Sequence, residues 1–182
     1  DGTMQNNITF KEKRATADRV PLWHKENCIQ CNQCAFVCPH ATIRPFVLND
    51  EQIAKLPEDE REDVLNLMGG PNTKGLKFRI QVSPMNCVGC GICFVQCPGK
   101  GGKKALEMVE AKTQYHHEKA ADILYKETES RTDLFPLNTV KGAAFLPAYQ
   151  EVSGACAGCG ETPYYRLVSQ LFGKDMLVAN AT

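Results

Sequence analysis

The chain has 182 residues, 43% of them hydrophobic, which is enough for one ordinary domain, part of another and a real core. Its 21 lysines and arginines balance 21 aspartates and glutamates, so net charge predicts no affinity for nucleic acid or for membranes. No apolar run approaches a membrane span and the N-terminus lacks a signal segment, so we expect a soluble, cytoplasmic protein. Ten cysteines in this composition indicate metal in a reducing compartment.

The first predicted elements surround a cysteine-rich stretch. Residues 1–19 are polar and are interpreted as a linker or a solvated arm. A short strand at 20–24 precedes the first cysteine run (28–39), and a return strand at 41–48 follows it, with Pro45 restricting that strand to an edge or a bend. Strands at 78–82 and 105–109 flank the second cysteine run (87–98) in the same way.

The two cysteine runs share one spacing, C-x2-C-x2-C-x3-C-P, at a constant offset of 59 positions. This spacing holds [4Fe–4S] clusters: the first three cysteines bind one cluster and the fourth binds the cluster of the other run. The prediction is therefore two clusters with exchanged fourth ligands. One is assigned to Cys28, Cys31, Cys34 and Cys97, and the other to Cys87, Cys90, Cys93 and Cys38.

Other uses of these cysteines fit the pattern less well. Zinc sites usually bring their ligands in separated pairs, and two runs of four do not divide into such pairs. Disulfide frameworks are typical of small secreted domains. Buried structural thiols would not repeat at one offset with a proline closing each set. Two matching halves instead predict an α+β fold with the pseudo-twofold symmetry of a two-cluster ferredoxin.

An insertion at about 49–75 separates the two halves. A helix is predicted from 56–57 onward, with Val64, Leu65 and Met68 as its apolar stripe and 69–71 as its end. Its acidic residues fit either a docking face for a basic partner or, as we favour, the solvated side of a surface helix.

A second helix is predicted at 113–131, and a proline- and glycine-punctuated extended connector at 135–149. The buried stripe of the helix is Ala120, Ile123 and Leu124.

Four histidines are candidates for a role near metal. His116 and His117 fall in the second predicted helix, where surface or packing roles are favoured over metal ligation. His24 and His40 flank the first cysteine run and could tune a cluster through hydrogen bonds to sulfur, although ordinary packing is favoured.

A third cysteine pair, Cys156 and Cys159, precedes a helix with Thr162 as its N-cap, Pro163 at its first helical position and Gly173 as its stop. From the residues alone the pair fits a redox dithiol, half of a zinc site or half of a third cluster. The helix has Leu167, Val168 and Leu171 as its apolar face, and 176–179 is predicted as a buried strand. Loop, helix and strand in this order are typical of the start of an α/β domain, which is expected to be truncated here.

Five stretches, at 1–3, 28–40, 78–84, 133–142 and 153–164, resemble pyruvate:ferredoxin (flavodoxin) oxidoreductase, a thiamine-diphosphate enzyme. The resemblance implies a two-cluster ferredoxin-like domain at 20–112, a helix and connector at 113–150, and the start of a thiamine-diphosphate domain at 151–182. It also implies that Cys156 and Cys159 hold part of a third [4Fe–4S] cluster. Glu161 would line the thiamine pyrimidine pocket.

The activity that the resemblance implies is oxidative decarboxylation of pyruvate with coenzyme A to acetyl-CoA and carbon dioxide. Single electrons would pass through the clusters to ferredoxin or flavodoxin. The third cluster, thiamine diphosphate and magnesium are expected in the full-length enzyme only, together with its remaining domains. The chain alone is not expected to decarboxylate pyruvate. The alternative considered is a free-standing carrier of the ferredoxin type.

Overall fold

A computed structural model describes residues 11–70, 72–173 and 175–179. The stretch 1–3 and the first half of the predicted arm lie outside these residues. The described strands are β1 (Arg19–Trp23), β2 (Ile43–Leu48), β3 (Leu65–Asn66), β4 (Lys77–Val82) and β5 (Leu106–Glu110). The α-helices are α1 (Gln33–Phe36), α2 (Asp50–Ala54), α3 (Ile92–Gln96), α4 (Glu118–Glu127), α5 (Val140–Ala143) and α6 (Thr162–Phe172).

The strands pair between the two halves of the repeat. β1, before the first cysteine run, is antiparallel to β5, after the second run, while β2 and β4 pair in the same crossed manner. β3 adds to the other side of β4, so β2 is an edge strand and accommodates Pro45 there, as predicted. The four long predicted strands are confirmed to within two residues at each end. The crossed pairing places both cysteine runs side by side.

The core has a larger and a smaller part. The larger part packs β1, β4 and β5 residues such as Val20, Phe78 and Leu106 against cysteines of both runs. The smaller part joins β2 to α4, where Leu48 and Leu124 are almost completely buried. A fully buried side chain of this size contributes about 1.5–3 kcal/mol. The scaffold around the cysteines is therefore held mainly by apolar packing.

The predicted helix of the insertion is wrong. α2 starts earlier, because Asn49 and Gln52 form a reciprocal capping box, and the segment Glu58–Glu60 forms only a 3₁₀ turn. Leu65 then enters β3 instead of extending a helical stripe. The stripe was too short to specify a helix against pairing with β4.

Glu60 also contradicts the expectation of a solvated acidic face, since its side chain is 2% exposed and is paired with Arg79. Arg79 further donates to the Glu60 carbonyl at 2.7 Å. His117 Nδ1 lies 2.8 Å from the carboxylate, so this histidine has a packing role, as favoured from the sequence. Burial alone would raise the pKa of Glu60, but the hydrogen bond to His117 and the charge of Arg79 together hold it below its usual value.

The second predicted helix begins as a 3₁₀ segment, Ala111–His117, and continues as α4. Ala120 and Leu124 are buried and Ile123 packs beside them, which confirms the predicted stripe. The connector is not wholly extended, because Thr139 caps the short helix α5 through Gly142 N at 3.1 Å.

The orientation of α6 differs from the prediction. Arg166, Ser169 and Gln170 are buried, whereas Val168 is 43% and Leu171 55% exposed. Arg166 donates to the carbonyl of Ala35 at 3.1 Å and to that of Phe36, and these bonds turn the polar face inward.

The residues around α6 differ from the prediction as well. Glu161 is the N-cap and Thr162 the first helical residue. The predicted buried strand is irregular within 176–179, and Leu177 is almost fully exposed. No helix among the described residues has the length and apolar character needed to cross a bilayer.

Candidate iron–sulfur sites

Each cysteine run forms a tight turn built from left-handed backbone. Gly89 and Gly91 have φ of 70° and 75° in the second run. The first run has Gln30 and Asn32 at the matching positions, with φ of 56° and 61°. Glycine adopts this conformation without strain, whereas a residue with a Cβ is penalised by about 1–2 kcal/mol. The two turns therefore share one geometry, and the first run needs a compensating interaction.

The compensation is supplied by hydrogen bonds of the two side chains. Gln30 donates to Asn66 O at 2.8 Å and accepts from Met68 N at 2.9 Å, which ties the insertion to the first run. Asn32 donates to Lys141 O at 3.0 Å and so ties α5 to the same turn. Both side chains are buried. Sequence reasoning missed these residues, since only their departure from glycine at matched positions marks them.

The cysteines surround two separate cavities, each with about 340 Å³ of empty space that is partly open to solvent. Three cysteines of one run and the last cysteine of the other run line each cavity. The first cavity is lined by Cys28, Cys31, Cys34 and Cys97, and the second by Cys38, Cys87, Cys90 and Cys93. The structure thus brings together the same sets of four that the sequence predicts.

The thiols of each set lie around a space and do not converge on a point. Among the described residues, no group of three or more histidine, cysteine or acidic side chains is placed to hold a single metal ion. Four soft sulfur ligands at the walls of a cavity fit a polynuclear cluster. The residues present therefore fit a [4Fe–4S] cluster in each cavity.

Electrostatics around the cysteines call for a positively charged partner. Burial raises the pKa of Cys87 to about 12, and burial followed by the charges of neighbouring cysteines raises the pKa of Cys93 and Cys34. Desolvation likewise raises the pKa of Cys28 and Cys90. Four thiolates in such a site need nearby cationic charge, which iron supplies when a cluster is bound.

Hydrogen-bond donors already point at several sulfurs. Gly89 N lies 3.4 Å from Cys87 Sγ, and Ala105 N lies 3.3 Å from Cys97 Sγ. The Thr42 hydroxyl is 3.7 Å from Cys38 Sγ. Such contacts orient the ligands and stabilise the more negative, reduced form of a cluster.

The third cysteine pair lies on the surface beside the second cavity. Cys156 is exposed and Cys159 half-buried, and Cys159 N donates to Cys156 O at 3.0 Å. Backbone hydrogen bonds at Glu161 and Thr162, where α6 begins, lower the pKa of Cys159. A Cβ placed on Gly158 would lie 3.4 Å from Cys90 Cβ, so this loop packs directly on the second run. Glu161 is exposed and lines a shallow cleft with Tyr164 and Tyr165.

The two histidines that flank the first run have different surroundings. His24 Nε2 lies 2.9 Å from Glu107 on the surface. His40 is 1% exposed and lines the second cavity. Its carbonyl accepts from Val152 N at 2.8 Å, and its Nδ1 is 3.4 Å from Ser153 Oγ. Burial lowers the pKa of His40, and its hydrogen bonds join the end of the first run to the third cysteine loop.

Comparison with known proteins agrees with this geometry. A 4Fe-4S dicluster domain matches residues 27–101. Over its full length the chain is 47% identical to the pyruvate:ferredoxin oxidoreductase of Moorella thermoacetica and 44% identical to the pyruvate-flavodoxin oxidoreductase of Klebsiella pneumoniae. It is 41% identical to the mitochondrial pyruvate dehydrogenase [NADP(+)] of Euglena gracilis.

The chain spans about 15% of the length of the first two relatives and 10% of the third. The resemblance found in the sequence is confirmed, and the crossed sheets and the dicluster domain fit an α+β ferredoxin-like fold. Over its whole length the chain is similar to one segment of proteins named pyruvate:ferredoxin oxidoreductase and pyruvate-flavodoxin oxidoreductase.

Proposed function

We propose that this chain relays single electrons through two [4Fe–4S] clusters within an enzyme that oxidises pyruvate. The observation that carries the proposal is the pair of four-cysteine cavities, each lined by three cysteines of one run and one of the other. When bound, such a cluster accepts and releases one electron with little rearrangement of its ligands. The relatives are named as pyruvate oxidoreductases, which supports the same role.

The protein residues have distinct parts in this relay. Cys28, Cys31, Cys34 and Cys97 would hold cluster 1, and Cys38, Cys87, Cys90 and Cys93 would hold cluster 2. The walls around them exclude bulk water from one side of each site, while donors at Gly89, Thr42 and Ala105 adjust the charge at sulfur.

The third cysteine pair supports a direction for the relay. Its loop packs on Cys90, so a centre held partly by Cys156 and Cys159 would be closer to cluster 2 than to cluster 1. We infer that electrons enter at cluster 2 and leave at cluster 1 for an external ferredoxin or flavodoxin. In this proposal residues 151–182 begin a thiamine-diphosphate domain, and Glu161 contributes to the thiamine site. The further ligands, magnesium, pyruvate and coenzyme A would be bound by the rest of the enzyme.

The insertion at 49–75 has a structural part in the same proposal. Its residues Asn66 and Met68 are bonded to Gln30 in the first run, and Glu60 is paired with Arg79 of β4. These contacts hold the insertion against the first run and β4, and the insertion distinguishes this domain from a minimal two-cluster ferredoxin.

Anaerobic reconstitution with iron and sulfide tests the proposal. We expect about eight irons per chain and an interacting pair of reduced-state EPR signals. Cys97→Ser should damage cluster 1, although Cys97 lies in the second run, and Cys28→Ser should affect the same signal. Cys156→Ser serves as the control and should leave both clusters intact. Bound zinc, or a colourless iron-free protein, would overturn the proposal.

A further inference from the structure

The ammonium group of Lys104 is bound by three backbone carbonyls beside the first cavity. Its Nζ donates to Phe94 O and Val95 O at 2.9 Å each and to Cys97 O at 3.0 Å. We propose that Lys104 is a positioning residue that fixes Cys97 and raises the reduction potential of cluster 1. The inference rests on the proposed function, since it concerns the cluster assigned to Cys28, Cys31, Cys34 and Cys97.

The carbonyls that Lys104 binds lie at the C-terminal end of α3. α3 ends at Gln96 and the backbone becomes extended at Cys97, whose N–H donates to Phe94 O at 3.3 Å, so Lys104 is a second donor to that carbonyl. A lysine ammonium satisfies them and carries the charge that a helix C-terminus favours. Because α3 contains Cys93 and is followed by Cys97, this contact fixes the short segment that joins the two cavities.

Two further contacts hold Lys104 in place. Its ammonium lies 5.0 Å from the centre of the Phe94 ring. Its own carbonyl accepts from Asn27 Nδ2 at 3.4 Å, and Asn27 immediately precedes Cys28 in the first run. The next residue, Ala105, donates its N–H to Cys97 Sγ at 3.3 Å. Residues 104 and 105 therefore donate hydrogen bonds to both the carbonyl and the sulfur of Cys97.

The position of the charge predicts its effect on the cluster. Reduction adds one negative charge, and a fixed cation close to the ligand stabilises the reduced state more than the oxidised state. Lys104 is half-buried, so solvent screens its charge less than that of the exposed lysines of the same loop. Cluster 2 has its four cysteines around the other cavity and should respond much less.

The same loop offers a matched control. Lys100 and Lys103 pair through their backbones, with N–O distances of 3.0 and 3.1 Å, and both side chains are exposed. Lys103→Met removes the same charge from the neighbouring position without touching the carbonyls of α3. A general effect of net charge would appear in Lys103→Met and Lys104→Met alike.

The experiment is redox potentiometry followed by EPR on the reconstituted chain, with Cys28→Ser and Cys87→Ser used to assign the two signals. We expect Lys104→Met to shift the midpoint potential of cluster 1 to a more negative value while that of cluster 2 stays within error. Lys103→Met should shift neither. Equal shifts in both variants, equal shifts in both clusters, or no shift in Lys104→Met would each overturn the proposal.

A variant that fails to assemble cluster 1 still leaves a decisive comparison. Lys104→Arg keeps the charge, and Lys104→Gln keeps a donor without it, so cluster 1 should have the lower potential in the glutamine variant. Identical potentials in these two variants would overturn the role of the charge. The iron content of the unmodified chain is measured first, because a value near zero would refute the proposed function and not the role of Lys104.

Discussion

The ion pair between Glu60 and Arg79 gives the most quantitative prediction for the scaffold. Both side chains are nearly inaccessible, at 2% and 3% exposed, and Arg79 also donates to Gln81 Oε1 at 2.8 Å. Replacing Arg79 by methionine would leave a buried carboxylate that still contacts His117 but has lost its guanidinium partner. Removing one partner of such a pair costs roughly 3–5 kcal/mol. At this chain length that corresponds to a fall in Tm of roughly 6–20 °C.

Thermal unfolding of the cluster-loaded chain, followed by circular dichroism without oxygen, measures this effect. Lys55→Met is the matched control, because Lys55 pairs with Glu127 at 3.1 Å while both side chains are at least half exposed. An exposed pair is worth at most about 1 kcal/mol. The double variant Arg79→Met with Glu60→Gln should regain much of the loss, since no charge is then left buried. A fall in Tm for Arg79→Met no larger than for Lys55→Met would refute the reasoning.

Three further predictions concern the same domain. Because the pKa of Glu60 is held below its usual 4.5, its contribution to stability should be present above that pH and be lost as the pH falls through the lowered pKa. A titration of Tm toward acid pH should show this loss, and the Glu60→Gln variant should lack this pH dependence. Gln30→Ala should cost about 1–3 kcal/mol, because Asn66 O and Met68 N lose a buried partner, and a denaturation midpoint equal to that of the unmodified chain would contradict it. Gly89→Ala should impair assembly of cluster 2, since the new Cβ would lie 2.8 Å from Arg19 O at a φ of 70°. Gly91→Ala is the control: its Cβ would enter open space, so this variant should retain its iron content if the steric contact is the cause.

The cysteine spacing predicts most of the arrangement around the cavities because it encodes a local turn twice. Three thiols within seven residues leave few backbone paths, and a short helix then carries the fourth across to the other half. The alternation of polar and apolar residues in β4 likewise predicts a strand, and Phe78 and Ile80 are buried in the core on one face of it. Such features depend on residues close together in the sequence and can therefore be predicted without knowledge of the fold.

What the sequence does not predict depends on partners far along the chain. α6 looks amphipathic with an apolar inner face, yet Arg166 reaches carbonyls 130 residues away and buries the polar face instead. Glu60 looks like part of a solvated acidic run, but its partner Arg79 lies in β4, where the adjacent residues in sequence are apolar. Periodicity reports the average environment of a segment, and a single buried charge pair can override it.

The two halves of the repeat are symmetric in their ligands and asymmetric in what surrounds them. In the first run the left-handed positions carry Gln30 and Asn32, whose side chains hold the insertion and α5 in place. In the second run the same positions are glycines, of which Gly89 packs closely on Arg19 of β1, while Gly158 packs on the adjacent Cys90. Side chains at the first turn therefore bind the insertion and α5, while the absence of a side chain at Gly89 lets the second turn approach β1 closely. The two sites thus have different neighbours, as the proposed relay with distinct entry and exit ends would need.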